Sequence, residues 1–266
     1  MKVLITLAYD DVGNNVINQL KDAVGNLKHF DAPFGWELIE YAIADSSAIA
    51  VAAPCMIDEL SSRKADEIIS HYSPDAVLMV SYHQGNESKS LILRGSGEDM
   101  QHISPSNPDL MRFLASQMLN ISAAYGVNAY FEATHGYRLN CPLDFSILEI
   151  GGCEADWNEP QLGKAICDII HSIPSYNTEN SHLKGAVAFG RSHCSKTVLK
   201  LCAENGITHY FSERNTVRLC SKRIYEILSM CGNIDRVYIQ KRMDREVTEM
   251  IEQAATAAHL EIYYFR

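Results

Sequence analysis

The sequence predicts an α/β fold, a mainly parallel mixed sheet flanked by helices, and two observations predict it. Short apolar runs rich in β-branched residues alternate with amphipathic stretches of about ten to fifteen residues, the order of βαβ units. Several of those runs, VLMV in DAVLMVSY above all, are apolar without interruption, as a strand covered on both faces requires. Strands joined through helices run parallel, because the return crossing is made by the helix.

The elements follow in order. KVLITLA reads as a strand, and GNNVINQLKDAV as the helix after it. WELIEYA and SAIAVAA read as strands, IDELSSRKADEIISHY as a helix and DAVLMVSY as a buried strand. PDLMRFLASQMLNISAAYG is a helix that Gly126 ends, since glycine accepts the left-handed conformation of a helix C-cap. NAYFEAT and FSILEIG are strands, and EPQLGKAICDIIHSI is a helix with Pro160 in its first turn. Past the polar stretch SYNTENSHLK come strand GAVAFG, a helix over 195–205, strand THYFS, a helix over 219–230, strand RVYIQ, a helix over 244–259 and strand LEIYYF. One domain over residues 1–266 is expected, with a subdomain break near 175–184. No internal repeat and no low-complexity segment interrupts it.

With 266 residues, 47% of them hydrophobic and 21% charged, the chain can bury a sizeable core, which excludes a disordered protein. No apolar run approaches the roughly 18 to 20 residues that span a bilayer, so no membrane partner is expected. MKVLITLAYDD meets Asp10 and Asp11 with no cleavage pattern and reads as a first strand, so a cytoplasmic protein is expected. The eight cysteines are scattered without a CxxC pair, which favours reduced thiols.

Net charge is −10, against general nucleic-acid affinity, but it is unevenly distributed. Residues 1–183 carry 10 basic and 24 acidic side chains, whereas 184–266 carry 13 basic and 9 acidic. A phosphate-rich partner and an ordinary solvated surface both fit that asymmetry.

Three histidines leave apolar, strand-like runs for loops: His83 in VLMVSYHQGNES, His135 in FEATHG and His193 in AVAFGRSHCSK. Ligands of open α/β sheets bind beyond the carboxyl ends of strands, so the three suggest one site. Beside His135, Glu132 could orient the imidazole or act as general base, and Thr134 could position water or a substrate hydroxyl. Beyond Gly190 and Arg191, Ser195 begins a helix whose first N–H groups could hold a carbonyl oxygen or a phosphate. Glu149 lies inside the apolar run SILEIGG, where an ionised carboxylate needs a partner: histidine, arginine or metal. A strand-borne glutamate with loop histidines suits a mixed nitrogen and oxygen zinc shell. No GxGxxG or GxxxxGK[ST] occurs, so a nucleotide-binding loop is not supported.

MKVLITLAYDDVGNNV, the histidine after PDAVLMVSY, FEATHG, LEIGG with Trp157, FGRSH and the closing DREVTEMIEQAATAAHLEIYYF, in that order, resemble the archaeal and plant type of D-aminoacyl-tRNA deacylase. The resemblance implies an α/β fold similar to phosphorylases and peptidyl-tRNA hydrolases, and hydrolysis of the ester that joins a D-amino acid to tRNA. It also implies zinc as cofactor and aminoacyl-tRNA as substrate partner. His135 and His193 would be ligands, Glu149 a third ligand or a support, and His83 and Glu132 orienting groups for water or substrate. Gly190, Arg191, Lys196 and Arg138 stand as substrate-binding residues.

The chain departs from the family pattern beside that site. Gly136, Tyr137 and Arg138 replace a second histidine and Gly-Pro, Cys194 stands where an aromatic residue follows the third histidine, and HYFSERN replaces a Gly-His and Pro-Lys motif. These departures keep open a metal-dependent amidase or peptidase acting on another conjugate, and a non-catalytic binding paralogue.

Overall fold

The computed structural model describes residues 2–24, 28–31, 37–43, 48–53, 62–85, 89–98, 102–136, 143–175 and 183–266. The start of the expected helix at 57–61, Arg138, Cys55, Cys141 and most of the polar stretch 176–182 lie outside them. The chain divides into two compact units. The first comprises Met1–Ile92, Gln117–Ala129 and Leu139–Glu179, and the second Leu93–Ser116, Tyr130–Arg138 and Asn180–Arg266.

In the first unit the strands lie in the order Asp144–Gly152, Ala76–Gln84, Val3–Ala8, Ala48–Ala53, Glu37–Ile43, Lys28–Asp31. Val3–Ala8 is buried along its whole length and pairs in parallel on both sides, Val3 with Ala48 and with Ala76. Asp144–Gly152 continues the parallel run, aligning Glu149 with Ser81 and Gly151 with His83. Burial on both faces is why the cores of these strands read as largely apolar runs. The far edge is antiparallel: Glu37–Ile43 pairs with Ala48–Ala53, and Lys28–Asp31 with Glu37–Ile43. Connections of five and four residues are too short for the crossover that a parallel pair needs.

Helix Pro160–Ser172 buries Leu162, Ala165, Ile166, Ile169 and Ile170, one face at the 3.6-residue period. Pro160 occupies its first turn, where the missing N–H costs nothing. Helix Asp11–Val24 packs against it. At Gly163 an added Cβ would meet Asn15 Oδ1 at 2.2 Å. The Asn15 amide donates 2.8 Å hydrogen bonds to the carbonyls of Trp157 and Glu159, which fixes the Trp157 turn. Trp157 in turn packs its ring 4.6 Å from that of Tyr82.

In the second unit a fully parallel sheet has the order Ile207–Ser212, Gly185–Gly190, Ile234–Gln240, Glu261–Phe265. Helices Ser221–Met230 and Arg245–Ala257 bury Ile224, Ile227, Val247 and Ile251 with Val187, Phe189, Val237 and Ile239 of the strands. The Ser195 hydroxyl caps helix Lys196–Asn205 by accepting from Val198 N, and Gly206 ends it at φ 65°, in the left-handed region. Asp244 caps Arg245–Ala257 by accepting from the N–H groups of Glu246 and Val247. Helix Pro108–Tyr125 also ends as expected, with Gly126 at φ 67°.

The α/β class and mainly parallel sheets are those the alternation predicts. Strand Ser90–Gly95, whose chain passes from the first unit to the second, is an addition to the expected order. The six described cysteines are all free thiols. Burial pushes the Cys167 thiol up to about 12, and those of Cys202 and Cys231 further in the same direction, so these sulfurs stay protonated packing groups. No helix among the described residues is long and apolar enough to cross a membrane.

Candidate active site

Within the second unit, the segment Phe131–Gly136 is anchored from three directions. On one side it meets Cys194–Ser195 in antiparallel register, Glu132 against Cys194, and Ala133 N donates to the His193 carbonyl at 2.8 Å. On another, Thr134 N donates to the Tyr210 carbonyl at 2.7 Å, and Tyr210 N donates back to Thr134 Oγ1. From the third, Gly97 N donates to the Gly136 carbonyl, and Ser96 forms a bridge with His135.

The result gathers Glu132, His135 and His193. The Glu132 carboxylate is wholly buried, and its two oxygens face different partners. Oε2 lies 3.2 Å from Nε of Arg94, which is itself buried, while Oε1 lies 2.8 Å from His193 Nε2 and 3.8 Å from His135 Nε2. Arg94 also donates from Nη1 to the His135 carbonyl, so one guanidinium fixes both the carboxylate and the loop. A charge-assisted pair of this kind is the form in which buried ions are tolerated.

The two imidazole rings stand 5.1 Å apart. His135 Nδ1 sits 2.7 Å from the Ala133 carbonyl, an acceptor only, which assigns the proton to Nδ1 and leaves Nε2 a lone pair. Burial, followed by the nearby Arg94 charge, holds the His135 pKa below its ordinary value, so the ring stays neutral near pH 7. One atom each from Glu132, His135 and His193 lie within 4.8 Å of one another, a group able to hold a metal ion. Two imidazoles and one carboxylate oxygen are the donor set of a catalytic zinc site with an open position. Arg94 supports that fit by occupying Oε2 and leaving Oε1 toward both rings.

The other expected site residues are placed as follows. In the first unit, Glu149 is buried in its strand with Oε2 4.0 Å from His83 Nδ1, so histidine is among the partners its burial required. The carboxylate grouped with His135 and His193 is that of Glu132, whereas Glu149, expected beside them, stands against His83 in the first unit. Thr134 is buried and hydrogen-bonded at both N and Oγ1, which makes it a stitch between segments rather than a group presented to substrate. Gly190 is buried at its strand end, where a Cβ would meet the Tyr210 hydroxyl at 2.8 Å. Arg191 is exposed, and Lys196 holds Nζ 5.3 Å from the centre of the Tyr130 ring. Arg138 lies outside the described residues.

Arg94 is the residue the sequence reading passed over. A charge in the apolar run SLILRG carries the same requirement for a partner that singled out Glu149.

A family model described as D-aminoacyl-tRNA deacylase matches residues 70–263. A curated relative named D-aminoacyl-tRNA deacylase, from Methanospirillum hungatei, is 24% identical over 152 residues, 56% of this chain and 34% of the relative. The match therefore spans about a third of that relative's length. Among solved structures, a conserved protein of unknown function superposes with a TM-score of 0.81 at 15% identity, covering 99% of this chain and 95% of its own, which shows a shared fold. A purine nucleoside phosphorylase from Toxoplasma gondii, solved with immucillin-H, has a TM-score of 0.42 at 6% identity over 66% of this chain and 92% of its own.

Proposed function

Since the chain belongs to the D-aminoacyl-tRNA deacylase family, we propose that it hydrolyses the ester between a D-amino acid and tRNA, releasing the amino acid and free tRNA. The observation that carries this reading is the Glu132 carboxylate, fixed at Oε2 by buried Arg94 and faced at Oε1 by Nε2 of both His135 and His193. Ester hydrolysis requires an activated water, stabilisation of the tetrahedral oxyanion and a shaped pocket.

His135 Nε2, His193 Nε2 and Glu132 Oε1 are the atoms that would hold zinc, which when bound supplies Lewis acidity at the ester carbonyl. The backbone acceptor at Ala133 and the lowered pKa keep His135 Nε2 unprotonated at neutral pH. Arg191 and Lys196 are assigned to the substrate's phosphates, in keeping with the basic character of residues 184–266.

The test is release of labelled D-tyrosine from charged tRNA by the purified protein, with the L-isomer as control. Release of the D-amino acid with retention of the L-amino acid is expected. Absence of turnover, with and without added zinc, would remove the reading.

A further inference from the structure

The cluster just described takes His193 from the turn Gly190–His193. Arg191 of that turn also lines a cavity of about 600 Å³ with Gln240, Lys241, Arg242 and Arg266, all of the second unit. The volume is that of a small-ligand pocket, and four of the five lining side chains are cationic. Among the described residues, Arg191 has one carboxylate partner, Glu213 at 3.6 Å, and no ion pair engages Lys241, Arg242 or Arg266.

Topology accounts for the cavity's position. Helix Lys196–Asn205 follows strand Gly185–Gly190 and leads to Ile207–Ser212 on one side. Helix Arg245–Ala257 follows Ile234–Gln240 and leads to Glu261–Phe265 on the other. With right-handed crossovers the two helices fall on opposite faces, so the chain leaves the paired strands Gly185–Gly190 and Ile234–Gln240 toward opposite faces at their carboxyl ends. That is a topological switch point, the place where open α/β sheets take ligands. Arg191 directly follows the first of these strands, and Lys241 and Arg242 the second. Arg242 holds φ at 72°, a left-handed conformation that a residue other than glycine seldom adopts. Gln240 Oε1 accepts from Arg191 N at 2.9 Å, tying the two strand ends together.

We propose that this basic cavity is a phosphodiester subsite, occupied by backbone phosphate of RNA next to the ester that His135 and His193 address. The inference rests on the deacylase reading for the identity of the RNA. Arg191 and His193 are two residues apart, at most about 7 Å of extended chain. An ester at the histidines thus leaves the phosphate of its own terminal nucleotide within reach of the guanidinium. Fork-shaped guanidinium donors match phosphate oxygens, and among the described residues Glu213 alone pairs with a lining cation, which leaves most of the cavity's positive charge unneutralised.

The experiment measures fluorescence anisotropy of a short single-stranded RNA with a tRNA 3′ sequence and no amino acid, over a salt series. The proteins are wild type, the Lys241→Gln/Arg242→Gln double variant, and a Lys200→Gln/Lys222→Gln control with the same charge change. The Lys241/Arg242 variant is expected to bind about tenfold more weakly, with a salt slope shallower by about 1.4 for two lost phosphate contacts, and the control is expected to match wild type. Wild-type affinity and slope in the Lys241/Arg242 variant would overturn the proposal. So would binding of inorganic pyrophosphate that depends on Lys241 and Arg242 while RNA does not bind, since the cavity would then serve a small phosphate compound. Because the RNA carries no ester, binding is read independently of hydrolysis. Intact RNA binding with no D-aminoacyl hydrolysis would sink the deacylase reading and leave the subsite standing.

Discussion

Arg94 Nε lies 3.2 Å from Glu132 Oε2, with both side chains out of contact with water, and the same guanidinium donates to the His135 carbonyl. Removing one member of such a pair strands a charge in the interior. Arg94→Met is therefore expected to destabilise the fold by about 3–5 kcal/mol, read from urea denaturation. The double variant Arg94→Met/Glu132→Leu is expected to recover a large part of that loss. Additive losses in the double variant would show that the two residues are not coupled.

Glu132, His135 and His193 make a concrete statement about metal content. Protein purified without a histidine tag is expected to retain zinc by elemental analysis, and His135→Ala or His193→Ala to lose it while keeping the wild-type circular dichroism spectrum. Chelation is expected to abolish ester hydrolysis and added zinc to restore it. Zinc-free protein turning over at the full rate would exclude the metal from the reaction.

His209 is wholly buried, with Nε2 3.0 Å from the Ser104 carbonyl, and burial lowers its pKa from 6.5 to about 4. Between those values the unfolded chain binds a proton that the folded chain does not, so stability is fully present above pH 6.5 and is lost as pH falls toward 4. About 2 kcal/mol of loss is expected between pH 7 and pH 5. Denaturation at both pH values checks it: His209→Gln should remove that part of the pH dependence, and an unchanged dependence would contradict the assignment.

At Gly163 two effects oppose each other. Alanine in a helix interior is ordinarily favoured over glycine by about 1 kcal/mol. Here the added methyl would stand 2.2 Å from Asn15 Oδ1, on a side chain fixed by two hydrogen bonds. Overpacking is expected to win, giving Gly163→Ala a net loss of about 1–3 kcal/mol. In an Asn15→Ala background the same change should turn neutral or stabilising.

The sequence showed most clearly those elements whose pattern follows from burial alone. GAVAFG coincides with its strand, and the Ser195 and Gly206 caps bound their helix, because capping and apolar runs are local properties. Ser90–Gly95 was hidden because its arginine broke the apolar run, and only the distant carboxylate of Glu132 makes that arginine tolerable. The same long-range pairing decided the site. Spacing brought His135 and His193 to notice as loop histidines, but which buried glutamate stands beside them depends on the register of Glu132 against Cys194, which no local pattern encodes. Thr134 looked available for chemistry because its hydrogen bonds go to Tyr210, far along the chain.

Tyr210 itself touches both histidine-bearing segments. Its backbone exchanges hydrogen bonds with Thr134, the neighbour of His135, and its hydroxyl donates to the Ser192 carbonyl at 2.6 Å, next to His193. The phenol ring thus adds a rigid second tie between the two segments, beside the direct hydrogen bond from Ala133 N to the His193 carbonyl. The His135 and His193 segments are thereby joined twice, once backbone to backbone and once through an aromatic side chain.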